Sequence, residues 1–135
     1  EDARRVQETC GDLIAFIRSL PFVYETEHYI FVHAGLDLTL PDWHETTDYQ
    51  KVWIRQPFHE ATNQTGKTIV FGHTPVHYLL DQKIGTKELW VTKDGKIGMD
   101  GGAVYGGVLH GILFDESGMK ADVALVNDGF AAIDD

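Results

Sequence analysis

A single cysteine, Cys10, is all the chain carries, so no internal disulfide can staple the fold and a packed core must hold it. That scarcity suits a reducing compartment, and a cytoplasmic location is expected. Basic residues are scarce too: eleven lysines and arginines stand against twenty-one acids, a net charge of -10. This balance argues against general affinity for nucleic acid or an anionic membrane surface, and a phosphate-handling protein so charged needs local cations, such as a metal ion. No stretch is long and apolar enough to span a bilayer. Internal repeats, low-complexity tracts and interdomain linkers are missing as well, so residues 1–135 read as one unit with enough length for a real core. There is no initiator methionine, and the opening EDARRVQETC is already helix-like. A processed product or a piece of a longer chain is therefore expected, which leaves room for a lost signal peptide.

What the chain does hold is centred on residues 68–75, TIVFGHTP. Thr68, Ile69, Val70 and Phe71 are β-formers without a polar break, the pattern of a buried strand, and Gly72 then lets the backbone turn tightly. His73 is thereby predicted at a strand's C-terminal end, the edge where α/β sheets bind ligands. A second copy precedes it at residues 28–35, HYIFVHAG, where an apolar strand ends in His33 followed by the small residues Ala34 and Gly35. Two strands ending this way suggest one shared site. Glycine lets a metal ion or phosphate approach the backbone, and imidazole is the commonest protein ligand for transition metals. Taken singly, each histidine is more often a hydrogen-bonded structural residue; the repeated context brings the functional reading level with that one.

Residues 3–20 form the clearest helical pattern, which Pro21 stops. Val6, Cys10, Leu13, Ile14 and Ile17 fall on one apolar face, so Cys10 is expected in the core. Residues 22–26 and the strand before His33 predict a hairpin turning at 25–27. From 36 to 64 the pattern dissolves into Asp, Thr, Pro and aromatics, with a short helix expected at 49–55. A connection this long that carries Trp43, Trp53, Phe58, His44 and His59 is expected to be functional rather than disordered. Arg55, in VWIRQPF, holds either a phosphate or one of the many carboxylates. Residues 76–80 predict a helical turn, and residues 88–92 and 96–100 flank Lys93, Asp94 and Gly95, a strong hairpin signal. Asp100 thus ends a third strand, and the following GGAVYGG is either a site loop or a tight turn. Residues 108–115 and 121–126 predict a last strand pair, in which His110 alternates with Val108 and Ile112 and is expected to be structural. The acidic tail NDGFAAIDD reads as loose.

With FVHAG, WIRQPF, IVFGHTP and MDGGAVYGGVL in this order, the sequence resembles the calcineurin-like metallophosphoesterases. The closest likeness is to the bacterial phosphatases of the phosphoprotein phosphatase type, a group that includes symmetrical diadenosine tetraphosphate hydrolases. The resemblance covers nearly the whole chain. It implies an α/β fold in which two mixed β-sheets pack face to face, flanked by helices, with a two-metal site at the strand ends. It implies His33 and His73 as ligands of the second metal, Arg55 as a phosphate-contacting residue and Tyr105 as an active-site tyrosine; it assigns Asp100 no role, and that residue is expected at most to support the ligands. The implied cofactors are two divalent metal ions, manganese first, with iron or zinc as alternatives. The family's earlier blocks, GDxHG, GDxxDRG and GNHE, are absent, and with them the ligands of the first metal and the proton-donating histidine. Gly11 and Asp12 lie within a helical pattern and do not replace them. The chain therefore resembles the C-terminal half of such a phosphatase.

Joined to an N-terminal half, it is expected to be a metal-dependent phosphoesterase, serine/threonine phosphoprotein phosphatase-like, acting on a phosphorylated protein or a small phosphoester. Two alternatives stand beside it: a symmetrical dinucleoside tetraphosphate hydrolase, and a non-catalytic protein-binding module that uses the aromatic connection 36–64. The 135 residues alone are expected to have little activity. They should also expose sheet edges and an apolar face through which a homodimer can form.

Overall fold

In the computed structural model, which describes residues 2–126, the two histidine-ending runs lie side by side. The tail expected to be loose, 127–135, falls outside the described residues. Strands β1 (Val23–Glu25) and β2 (Tyr29–Val32) form the expected antiparallel hairpin. Strand β3 (Thr68–Phe71) pairs with β2 in parallel, Ile30 opposite Ile69 and Phe31 opposite Val70. Strands β4 (Trp90–Val91) and β5 (Lys96–Gly98) make the second expected hairpin, and β5 lies parallel to β3 on its free side. The result is a mixed five-stranded sheet in the order β1-β2-β3-β5-β4. A separate two-stranded ribbon, β6 (Val108–Asp115) with β7 (Gly118–Val126), completes a mixed α/β fold.

Parallel neighbours cannot be joined by a tight turn, so residues 33–67 must cross from the end of β2 to the start of β3. That crossover is not shapeless: it contains a 3-10 turn (Trp43–Glu45) and a helix, which in chain order is α3 (Asp48–Trp53). The helix starts where the sequence supplies a reciprocal cap. Thr47 Oγ1 accepts from Gln50 N–H while the Gln50 side chain accepts from Thr47 N–H.

Strand alternation gives the sheet two faces. On one, Ile30, Val32, Ile69 and Phe71 meet Ala34, Leu36, Ile54 and Phe58 from the crossover. A β-carbon on Gly35 would stand 2.3 Å from Phe58 Cδ1, so only glycine at that position lets the Phe58 ring seat itself. On the other face, Tyr29, Val70 and Ile97 pack with Ile112 and Phe114 of β6, which leans the ribbon on the sheet. Alternation also sends Lys96 to the crossover side, where it is buried. Its ammonium donates to the carbonyls of Phe58 (3.2 Å), His59 (3.0 Å) and Ala61 (2.6 Å). A buried charge is tolerable only when its hydrogen-bonding capacity is met. Lys96 meets it by tying the crossover to the sheet.

The N-terminal region differs from the sequence expectation. In place of one helix there are two, α1 (Asp2–Thr9) and α2 (Gly11–Ser19), broken at Cys10. Thr9 Oγ1 donates back to Arg5 O at 2.8 Å and Gly11 follows, a pairing that loosens a helix locally. Cys10 is exposed, not in the core, because the apolar face it belongs to, with Val6, Leu13, Phe16 and Ile17, is itself exposed. A short helix, α4 (Val76–Leu79), follows Pro75 as expected. Among the described residues no helix is long and apolar enough to cross a membrane.

Candidate functional site

Because β2 and β3 run parallel and in register, the residues that follow them leave the sheet at one edge. His33 and His73 are therefore neighbours, with ring centroids 5.1 Å apart. Gly72 N–H donates to His33 O at 2.8 Å, and Thr74 N–H donates to Gly72 O at 2.7 Å across a three-residue turn. His73 is the apex of that turn, at a φ of 66°. A left-handed backbone at a residue other than glycine costs about 1–3 kcal/mol, and such residues cluster at functional sites.

Trp53, the last residue of α3, stands edge-on to His73 with centroids 5.3 Å apart, and its backbone carbonyl is near enough to favour the protonated ring slightly. Nε2 of His73 is buried without a partner among the described residues. Burial lowers the His73 pKa, the charges of Arg55 and His33 lower it further, and Asp100 opposes them. A depressed value keeps the ring neutral, which is the form that donates a lone pair. Thr74 Oγ1 and His77 Nδ1, on the same turn and the helix it opens, are likewise buried and unpartnered. Each such atom costs about 1–3 kcal/mol when nothing satisfies it.

A third parallel strand end contributes Asp100, just past β5. Its carbonyl accepts from Val76 N–H at 2.7 Å and its Oδ1 from Gly102 N–H at 2.9 Å, which clamps the His73 turn to the sheet. Arg55 lies two residues beyond Trp53. It is exposed, and among the described residues no carboxylate pairs with it. Its charge is felt at both His73 and His59. Tyr105 ends a 3-10 turn (Ala103–Tyr105) bracketed by Gly102 and Gly106 in left-handed conformation, and is 71% exposed. The GGAVYGG segment is thus a tight turn in form. His110 is buried in the ribbon, Nδ1 against Asp122 Oδ1 at 2.9 Å, as a structural histidine would be.

The aromatic connection divides. Phe58 is fully buried and Trp43 packs against the same cluster, whereas Tyr49 and Trp53, four residues apart on α3, are exposed. His59 stacks on Phe71 and meets Trp90 edge-on. Burial first, then the Lys96 and Arg55 charges, push its pKa down to about 4. The contribution of Trp53 could not be read from the sequence, because it acts on His73 through a backbone carbonyl. Lys96 did carry a signal: it occupies an alternation position that should be apolar.

The pair fits half of a metal centre. A neutral, unpartnered imidazole nitrogen beside a second, exposed imidazole is a sound donor set for a divalent ion, yet catalytic sites normally take three protein ligands or more. Among the described residues no group of three or more His, Cys, Asp or Glu could hold a metal ion. No protein-family model and no curated protein matches the chain.

Proposed function

We propose that this chain contributes part of the active centre of a metal-dependent phosphoesterase, serine/threonine phosphoprotein phosphatase-like, whose other metal ligands lie on polypeptide bearing blocks of the GDxHG, GDxxDRG and GNHE kind. In that reading the five-stranded sheet and the ribbon are parts of a larger two-sheet sandwich. The observation that carries it is the buried, unpartnered Nε2 of His73 beside His33, at adjoining parallel strand ends.

A divalent metal bound there, manganese in first place, supplies an acidified water and a Lewis acid for the phosphoryl oxygens. The roles of this chain's own residues follow from their placement. His73 and His33 are the donors to that metal, and Trp53 packs edge-on against the first. Arg55, without a carboxylate partner among the described residues, offers a fork of donors to a phosphate oxygen. Asp100 and Gly72 hold the two histidine turns in register through backbone hydrogen bonds. Tyr105, on an exposed turn after the third strand end, is available to the substrate. Acid that protonates the two imidazoles removes the donor set, so activity falls on the acid side.

The test is hydrolysis of an aryl phosphate with added manganese, by this chain and by the chain extended upstream through the three blocks. Turnover is expected only in the extended protein, and His73→Ala there should lower turnover and metal content together, by about 100-fold or more. Unchanged turnover with metal intact overturns the ligand assignment. Silence in both proteins favours a non-catalytic binding module.

A further inference from the structure

At the far end of β2 from His33, a cavity of about 340 Å³ opens between the turn that joins β1 to β2 and the turn that joins β6 to β7. Three aromatic rings wall it. Tyr29 and Phe31 lie 5.8 Å apart at 33°, while Phe114 stands 5.0 Å from the first at 57° and 5.8 Å from the second at 75°. Rings inclined in this way form a corner rather than a stack. The Tyr29 hydroxyl donates to Asp115 O at 3.0 Å, which pins the corner by joining the hairpin to the ribbon. Tyr29 is buried, but Phe31 and Phe114 are only partly covered.

The mouth of the cavity is acidic. Glu27, Asp115 and Glu116 line it beside His28 and Thr26, whose carbonyl accepts from Lys67; among the described residues no lysine or arginine lines it. Asp115 has Lys120 at 3.4 Å, whereas Glu27 and Glu116 take part in no ion pair among the described residues.

We propose that this cavity binds a small quaternary ammonium cation. Aromatic faces carry negative quadrupole charge, and the attraction is strongest when the cation is already poorly hydrated. A trimethylammonium group spreads its charge over methyls and so enters an aromatic corner at small desolvation cost, while a bare ammonium or metal ion keeps its water. The unpaired carboxylates at the mouth then complete the match in charge, and they repel a phosphate or a carboxylate ligand. A neutral apolar guest gains the area of the rings but nothing from the acids. The cavity shares no residue with the His33 and His73 pair.

The experiment is an amide-resolved NMR titration of this chain with choline, with N-trimethyllysine, and with 3,3-dimethylbutan-1-ol, the uncharged isostere of choline. Choline or N-trimethyllysine should shift the signals around Tyr29 and Glu116 saturably and bind about tenfold tighter than the alcohol. The tighter of the two tells whether the natural source is a free headgroup or a modified lysine. Phe114→Leu should weaken cation binding about tenfold, and Glu116→Gln, an exposed change that leaves the packing alone, several-fold with a weaker dependence on salt. Equal binding of the alcohol, an undiminished affinity in Glu116→Gln, or no saturable shift with either cation overturns the proposal.

Discussion

The crossover side of the five-stranded sheet and the N-terminal helix pair contain the same kinds of residue and treat them oppositely. Phe58, Leu36 and Ile69 are fully buried, whereas Leu13, Phe16 and Ile17 of α2 are more than half exposed. The difference lies in where each pattern finds its partner. Parallel register brings β2, β3 and β5 together, and the crossover that such a connection demands then lies over the face it has created. A helical stripe fixes a face but names nothing to lay it on. The sharpest way to break this contrast is Phe58→Ala. The ring is wholly enclosed, edge-on to Phe71 at 4.9 Å and pressed on Gly35, so its loss should cost about 3–5 kcal/mol in urea denaturation. A loss below about 1 kcal/mol would mean that the crossover side is no better packed than the helices.

A smaller effect comes from a polar atom within that dense region. His59 titrates at about 4 in the folded chain, below its ordinary 6.5, because burial and the Lys96 and Arg55 charges disfavour its cation. Above the ordinary value both states are neutral and the full stability is present. As pH falls the unfolded chain takes up its proton first, so stability declines through the window down to about 4 and then levels off. The total is at most about 3 kcal/mol. His59→Phe keeps a ring between Phe71 and Trp90 and removes the buried Nε2 that lacks a partner. Its stability between pH 6.5 and 4 should therefore be flatter than that of the parent, measured as denaturation midpoints across that range. Identical slopes would assign the acid sensitivity to the carboxylates instead.

Much of this was legible in the residues. Apolar runs broken by Gly72 and Gly35 marked strand ends, Lys93-Asp94-Gly95 marked a hairpin, and the repeated histidine at such ends led directly to the pair now 5.1 Å apart. Pattern stops being informative where a contact is made by the backbone or by a single long side chain. Trp53 acts on His73 through a carbonyl, the left-handed turn at His73 belongs to a residue type that rarely adopts it, and the Lys96 ammonium reaches three carbonyls more than thirty residues back in sequence. The helix break at Cys10 was missed for another reason. Periodicity measures the face a helix would present, and a two-residue interruption such as Thr9 with its hydroxyl turned to Arg5, followed by Gly11, hardly disturbs that measure.

The exposed stripe of α2 yields the smallest change in stability and the clearest separation of the two regions. Phe16 and Ile17 are each about 60% exposed, at 60% and 58%, and lysine is as good a helix former as either. Replacing both with lysine therefore removes little packing, and the change in folding stability should stay within about 0.5 kcal/mol. Association is another matter. Leu109, Leu113 and Leu125 on the outer side of the ribbon are exposed as well, so the chain presents apolar surface from two elements that a second copy can cover. If copies of the chain associate through α2, two added charges per chain there should shift sedimentation toward monomer at equal concentration while the denaturation curve hardly moves. If the curve moves by kilocalories instead, α2 is already packed in solution and the contrast with the crossover side is lost. If neither moves, α2 is not a surface through which copies of the chain associate.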